Sequence, residues 1–167
     1  SKEFAEDYRF FPEPDLPPLE LTEEWIRSLR ARLPELPDAK RARFVSQHRL
    51  RAEDAGVLVE ERAVADYFEA AIAGAQGALE PQTVANWITG ELFRLLREQA
   101  ATIEALKVKP QQLAQLLKLV AGGAINATVA KEVLGEMFVS GESPEAIIAR
   151  KGLTQISDEE PLRRIID

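Results

Sequence analysis

Apolar residues recur along this chain at intervals of three and four, and nowhere alternate strictly with polar ones, so the pattern predicts helices and no strands. Trp25, Ile26, Leu29 and Leu33 set a first helix over 23–33 and should face a core, with Thr22 as its cap. Pro34 stops it and Pro37 opens a second helix to about 47, with Phe44 and Val45 as its apolar contacts. A short helix over 53–60 follows, then one over 61–73 with Val64, Tyr67, Phe68, Ala71 and Ile72 on one face. Gly74 and Gly77 are expected to bracket a loop. The strongest stripe is Val84, Trp87, Ile88, Leu92, Leu95 and Leu96, a helix over 81–98. Asn86 sits beside Trp87 as a rim amide rather than part of a ligand box. Residues 100–109 read as a connection.

Shorter helices follow. Leu113, Leu116, Leu117, Leu119 and Val120 mark 110–121, closed by Gly122-Gly123. Asn126 caps a helix lined by Val129, Val133, Leu134, Met137 and Phe138, and Gly141 ends it. Ser143-Pro144-Glu145 starts another, with Arg150 and Lys151 at its basic end before Gly152. Ser157 and Glu160 have capping-box spacing for a last helix that the chain barely begins, which suggests a truncated second body. The fold class expected is all-α: eight or nine short helices in two small bundles, 22–106 and 107–167.

Residues 1–21 differ. Four prolines lie in Asp7-Tyr8-Arg9-Phe10-Phe11-Pro12-Glu13-Pro14-Asp15-Leu16-Pro17-Pro18, which forbids a helix interior and favours an extended strap. It reads either as an interdomain linker or as the trailing end of another domain. If it is a trailing end, Phe10 and Phe11 are expected to be loosely held or packed on a borrowed surface.

Composition narrows the chemistry. The chain has 167 residues, no cysteine and one histidine, His48. Disulfides, cysteine-bound metals and multi-histidine sites are excluded, and a Ser-His-Asp triad has no evident acid partner. No apolar run is long enough for a membrane span and no signal peptide is visible, so a cytoplasmic setting away from membranes is expected. No glycine-rich phosphate loop occurs. The Asn126-Ala127-Thr128 glycosylation pattern is read as a helix cap. Acid pairs such as Glu23-Glu24, Glu53-Asp54 and Glu60-Glu61 fall at helix starts, where the dipole favours them. No catalytic residue and no metal ligand is assigned; Glu13 and Asp15 are the only acids on a stiff segment beside aromatics.

The net charge of -7 conceals an asymmetry. Residues 27–51 hold eight basic and two acidic side chains, and 52–91 hold one basic and eight acidic. The cluster Arg27, Arg30, Arg32, Lys40, Arg41, Arg43, Arg49 and Arg51 is the only candidate surface for an anionic partner. Arg30, Lys40, Arg41, Arg43, Arg49 and Arg51 are the candidate nucleic-acid contacts. The alternative is a solvated basic face, paired with the acidic segment that follows.

Several stretches carry a family resemblance: the strap with Ser1-Lys2-Glu3, Leu33-Pro34-Glu35-Leu36-Pro37-Asp38-Ala39, Arg41-Ala42-Arg43-Phe44 and Ala65-Asp66-Tyr67-Phe68-Glu69. They continue with Ala85-Asn86-Trp87-Ile88-Thr89-Gly90-Glu91-Leu92, Ile125-Asn126-Ala127-Thr128-Val129-Ala130-Lys131-Glu132-Val133 and Lys151-Gly152-Leu153-Thr154-Gln155-Ile156-Ser157-Asp158. In order and spacing the chain resembles the B subunit of Asp/Glu-tRNA amidotransferase, the GatB/GatE family, over nearly its whole length.

The resemblance implies a parent enzyme, a carbon-nitrogen ligase of protein biosynthesis. It uses ATP, Mg and glutamine-derived ammonia to convert Glu-tRNA(Gln) or Asp-tRNA(Asn), in a heterotrimer with A and C subunits. It implies that residues 1–21 end the catalytic cradle, 22–106 form the helical domain and 107–167 begin a YqeY-like tail. The family's nucleotide and metal ligands would lie before Ser1, and its last tRNA-contacting helices after Asp167. This piece alone is therefore expected to be inactive, to hold no cofactor and to dock tRNA; the alternative is a subunit-assembly module. Arg49 departs from the glycine that the family often has after the second helix, which puts that turn in question.

Overall fold

Eleven described segments of helix account for almost all the regular structure in a computed structural model that describes residues 22–32 and 35–153. The strap, its aromatics and the expected last helix lie outside the described residues. The chain divides into two units, 1–35 and 36–167.

In the first unit the described element is α1 (Glu23–Arg32). Thr22 Oγ1 accepts from Trp25 N at 3.3 Å, the cap its position predicts. Trp25 itself is 49% exposed, not turned to a core as its spacing suggested.

The second unit starts with α2 (Pro37–His48), α3 (Ala52–Val59) and α4 (Arg62–Ala75). Phe44 on α2 is fully buried, whereas Val45 is exposed. Phe44 packs on Phe68 of α4 with ring centroids 5.0 Å apart, and His48 meets both rings edge-on. Such aromatic pairs add about 0.5–1.5 kcal/mol beyond burial. The helix α4 does not stop at Gly74 as expected. It continues to Ala75, and Gln76 turns left-handed at φ 53. Gly74 serves a crossing instead: a Cβ there would meet the Gln111 Cα at 3.4 Å, so the missing side chain lets two backbones approach. Lys118 Nζ seals the crossing by donating to Gly74 O at 3.0 Å.

The strongest predicted helix is present over 81–98 but is not uniform. It comprises α5 (Pro81–Trp87), a π-helical turn (Ile88–Leu92) and α6 (Phe93–Glu98). Thr89 Oγ1 donates back to Ala85 O at 3.0 Å, and Gly90 sits mid-turn; both weaken a regular ladder there. The stripe still faces inward, with Val84, Ile88 and Leu92 fully buried. The expected connection over 100–109 contains a 3-10 turn (Ile103–Ala105), anchored by buried Ile103 and Val108.

Three helices complete the unit: α7 (Pro110–Ala121), α8 (Ala127–Ser140) and α9 (Pro144–Lys151). The helix α7 packs along α4. One hydrophobic core therefore runs from Phe44 through Phe68, Ile88 and Leu113 to Met137 and Ile147. It passes the expected division at 106/107 without a break. Tyr67 Oη crosses it, donating to Val108 O at 3.1 Å; burial raises the phenol's pKa. Among the described residues there is no strand, and no helix is long and apolar enough to cross a membrane.

Candidate functional site

The basic cluster is set out by two helices and the turn between them. Lys40, Arg41 and Arg43 lie on α2; Arg49 closes that helix and Arg51 precedes α3. Arg30 lies on α1 in the other unit, and its side chain is outside the described residues. The expected set is thus described together only for the five members of the second unit.

Those five do not form a uniform positive face. Lys40 has just 14% of its side chain exposed and reaches Asp66 at 3.0 Å and Glu69 at 3.2 Å on α4. Burial pulls its pKa down, but the hydrogen bonds to the two carboxylates outweigh that, and the net shift is upward. Arg43 shares Glu69 at 2.6 Å. Arg51 Nε pairs with Asp54 at 2.7 Å, and its guanidinium also donates to Asn86 Oδ1 at 3.3 Å. Gln82 completes that network, accepting from Arg51 N and donating to Asp54 and Asn86. Asn86 is therefore a rim amide, as its position suggested, and part of a brace between α3 and α5.

Two cations of the cluster have no carboxylate partner among the described residues. Arg41 donates through Nε and Nη2 to Ala52 O, at 3.3 and 3.2 Å, and meets no carboxylate among the described residues. Arg49 is exposed, with no side-chain partner among them. It occupies the left-handed region at φ 54, ψ 32, with its N–H on Phe44 O. That conformation favours glycine, which accounts for the tension between residue and turn at this position.

Sequence spacing missed the links that join distant segments. Glu91, in the π-turn, is held by Lys131 of α8 and by Arg94 at 3.1 Å. The Lys131 hydrogen bond, with help from Arg94, lowers the Glu91 pKa against its partial burial. Gln82 with Asp54 and Glu91 with Lys131 are about 30 and 40 positions apart, so no local pattern announces them. Among the described residues no three histidine, aspartate or glutamate side chains converge to hold a metal. No chemical step is assigned to the described residues.

Comparisons with known proteins identify the chain at family level. The family described as "GatB domain" matches residues 66–167, and that described as "GatB/GatE catalytic domain" matches 1–27. The first match alone covers more than half of the chain: it belongs to the GatB/GatE family. Relatives that bear the name of the B subunit of aspartyl/glutamyl-tRNA(Asn/Gln) amidotransferase agree along almost its entire length. The one from Herpetosiphon aurantiacus is 56% identical over 97% of this chain. Those from Thermosynechococcus vestitus and Thermomicrobium roseum are 50% and 49% identical over 99% of it. The chain spans about a third of the length of these relatives.

Proposed function

We propose that this chain is a non-catalytic, tRNA-docking region of an amidotransferase B subunit. Its parent would work in the cytoplasm with A and C subunits, and would use ATP and Mg to amidate Glu-tRNA(Gln) or Asp-tRNA(Asn). The observation that carries this reading is the near-complete match to relatives named as the B subunit of a tRNA(Asn/Gln) amidotransferase. Arg41 on α2 and Arg49 at its end support it, as cations with no carboxylate partner among the described residues. Arginine contacts of this kind hold phosphates and set position without reading sequence. Lys40 and Arg51, tied to carboxylates, would contribute less.

The pairing of Lys40, Arg43 and Arg51 with acids supports a second reading, a subunit-assembly module that docks protein. Salt separates the two: docking RNA should weaken steeply as salt rises, whereas an apolar protein interface should persist.

Arg49→Gly gives the discriminating test. It removes one free charge while relieving the left-handed strain. With fluorescence anisotropy on unmodified tRNA across a salt series, the slope of log K against log salt should fall by about one. Thermal stability should meanwhile rise. An unchanged slope, with Arg41→Gln also silent, would show that neither α2 nor the turn that closes it meets RNA.

A further inference from the structure

Between the start of α4, α6 and the 3-10 turn lies an open cleft of about 250 Å³. Its walls are apolar: Val64, Phe93, Leu96, Ala101 and Ile103. Thr102 and two charged residues, Glu61 and Arg97, complete the lining, all three exposed. Neither charged side chain has an ion-pair or hydrogen-bond partner among the described residues. Their neighbours do: Arg62 is held by Asp66, and Arg94 by Glu91 and Glu98. Glu61 and Arg97, unlike Arg62 and Arg94 beside them, have none.

The far wall is built by a strained turn. Ala100 is left-handed at φ 47, its N–H on Arg97 O, and Ala101 N–H reaches back to Leu96 O at 2.9 Å. Alanine holds that conformation at a cost glycine would not incur. The turn stops α6 and brings Ala101 and Ile103 back beside Val64 and Leu96. Backbone strain retained beside an open apolar cleft is a combination found at ligand sites.

Size and charge restrict the occupant. An apolar cavity of about 150 Å³ can hold benzene, and drug-sized ligands need about 300 Å³ or more. This cleft suits one aromatic ring. An RNA base is disfavoured, because Glu61 stands at the opening within the acidic segment 52–91 and would repel the attached phosphates. One acid and one base beside an apolar hole complement a peptide with opposite charges flanking its ring. We propose that this cleft docks a partner polypeptide through a single aromatic side chain, with a carboxylate of the partner on Arg97 and a cation on Glu61. The inference does not depend on tRNA docking elsewhere on the chain.

The test uses the whole ¹⁵N-labelled 167-residue chain. The probes are the peptides acetyl-Lys-Phe-Asp-amide and acetyl-Asp-Phe-Lys-amide, with glycine-for-phenylalanine controls. One order should shift the amides of Val64, Leu96, Ala101 and Ile103 saturably, and its glycine control should bind at least about tenfold more weakly. Arg97→Glu should weaken that peptide about threefold, and replacing the peptide's aspartate by lysine should restore it. Ala101→Trp should fill the cleft and abolish the shifts; if that variant fails to fold, the exposed Arg97→Glu variant carries the decision. Equal shifts from the phenylalanine and glycine peptides overturn the proposal. So does no charge-swap rescue, or displacement of the peptide by an adenosine oligonucleotide.

Discussion

The stretch from 36 to 105 and the stretch from 107 to 153 share one core but hold their helices in place by different means. In the later stretch the ends are locally encoded. Gln112 Oε1 accepts from Lys109 N, Asn126 Oδ1 from Val129 N and Ser143 Oγ from Ala146 N. Gly141 and Gly152 close helices at positive φ. In the earlier stretch the residues before α2, α3, α4 and α5 are Leu36, Arg51, Glu61 and Glu80, and none makes a side-chain cap bond. Its left-handed closures fall on Arg49, Gln76 and Ala100. Polar links between segments stand in for caps there: Lys40 to α4, Arg41 to Ala52 O, Arg51 to Gln82 and Asn86, and Gln82 to Asp54. Charges that look in the sequence like a docking face are, for Lys40, Arg43 and Arg51, braces for the region that lacks caps.

The largest expected effect tests whether the two stretches are one cooperative body. Phe68 is fully buried on α4, the helix against which α7 packs. Phe68→Ala should lower stability by about 3–5 kcal/mol. Chemical denaturation followed by circular dichroism should show one transition moved to lower denaturant. A second transition retaining the helicity of 110–151 would show that the locally encoded stretch folds without its neighbour.

Glycine chemistry should reverse sign across the boundary. Arg49→Gly, Gln76→Gly and Ala100→Gly each relieve a left-handed Cβ and should raise stability by about 0.5–1 kcal/mol. Gly141→Ala should lower it by about 1 kcal/mol or more, since φ is 76 and the new Cβ would stand 3.4 Å from the Lys107 Cβ. Melting temperatures of the four variants suffice. A gain from Gly141→Ala, or losses from all three glycine insertions, would remove the contrast.

This contrast also explains what could be read beforehand. The all-α class and the buried stripes were legible because helical periodicity reports burial directly; Val84, Ile88 and Leu92 are all inside. The starts at Asn126 and Ser143 and the stops at Gly141 and Gly152 were legible because local rules govern them. Gly74 misled because a glycine needed for a helix crossing looks, in one dimension, like a helix stop. The π-turn was hidden because the apolar stripe stays in register through it. The basic cluster was visible as charge, but its pairing was not, because Asp66 and Glu69 lie a turn and two helices away from Lys40. The cleft at Val64 and Ile103 was invisible because it depends on Ala100, a residue with no turn signature.

The smallest effect concerns a link that crosses between the two stretches, Glu91 of the π-turn with Lys131 of α8. The hydrogen bond from Lys131 is the main reason the Glu91 pKa is lowered, with Arg94 assisting. A carboxylate with a depressed folded pKa stabilises the fold fully above its unfolded value, about 4.3, and loses that contribution as pH falls through the folded value. Lys131→Ala should therefore cost about 0.2–1 kcal/mol at pH 6, the range for a partly exposed pair. The difference between variant and parent should shrink as pH falls from 6 toward 3, because the parent loses the contribution of the lowered carboxylate as Glu91 takes up its proton. Urea midpoints at the two pH values measure this. A cost that stays constant between pH 6 and pH 3 would mean that Lys131 acts through packing of its stem, and that the two stretches are joined by their apolar core without electrostatic help at this point.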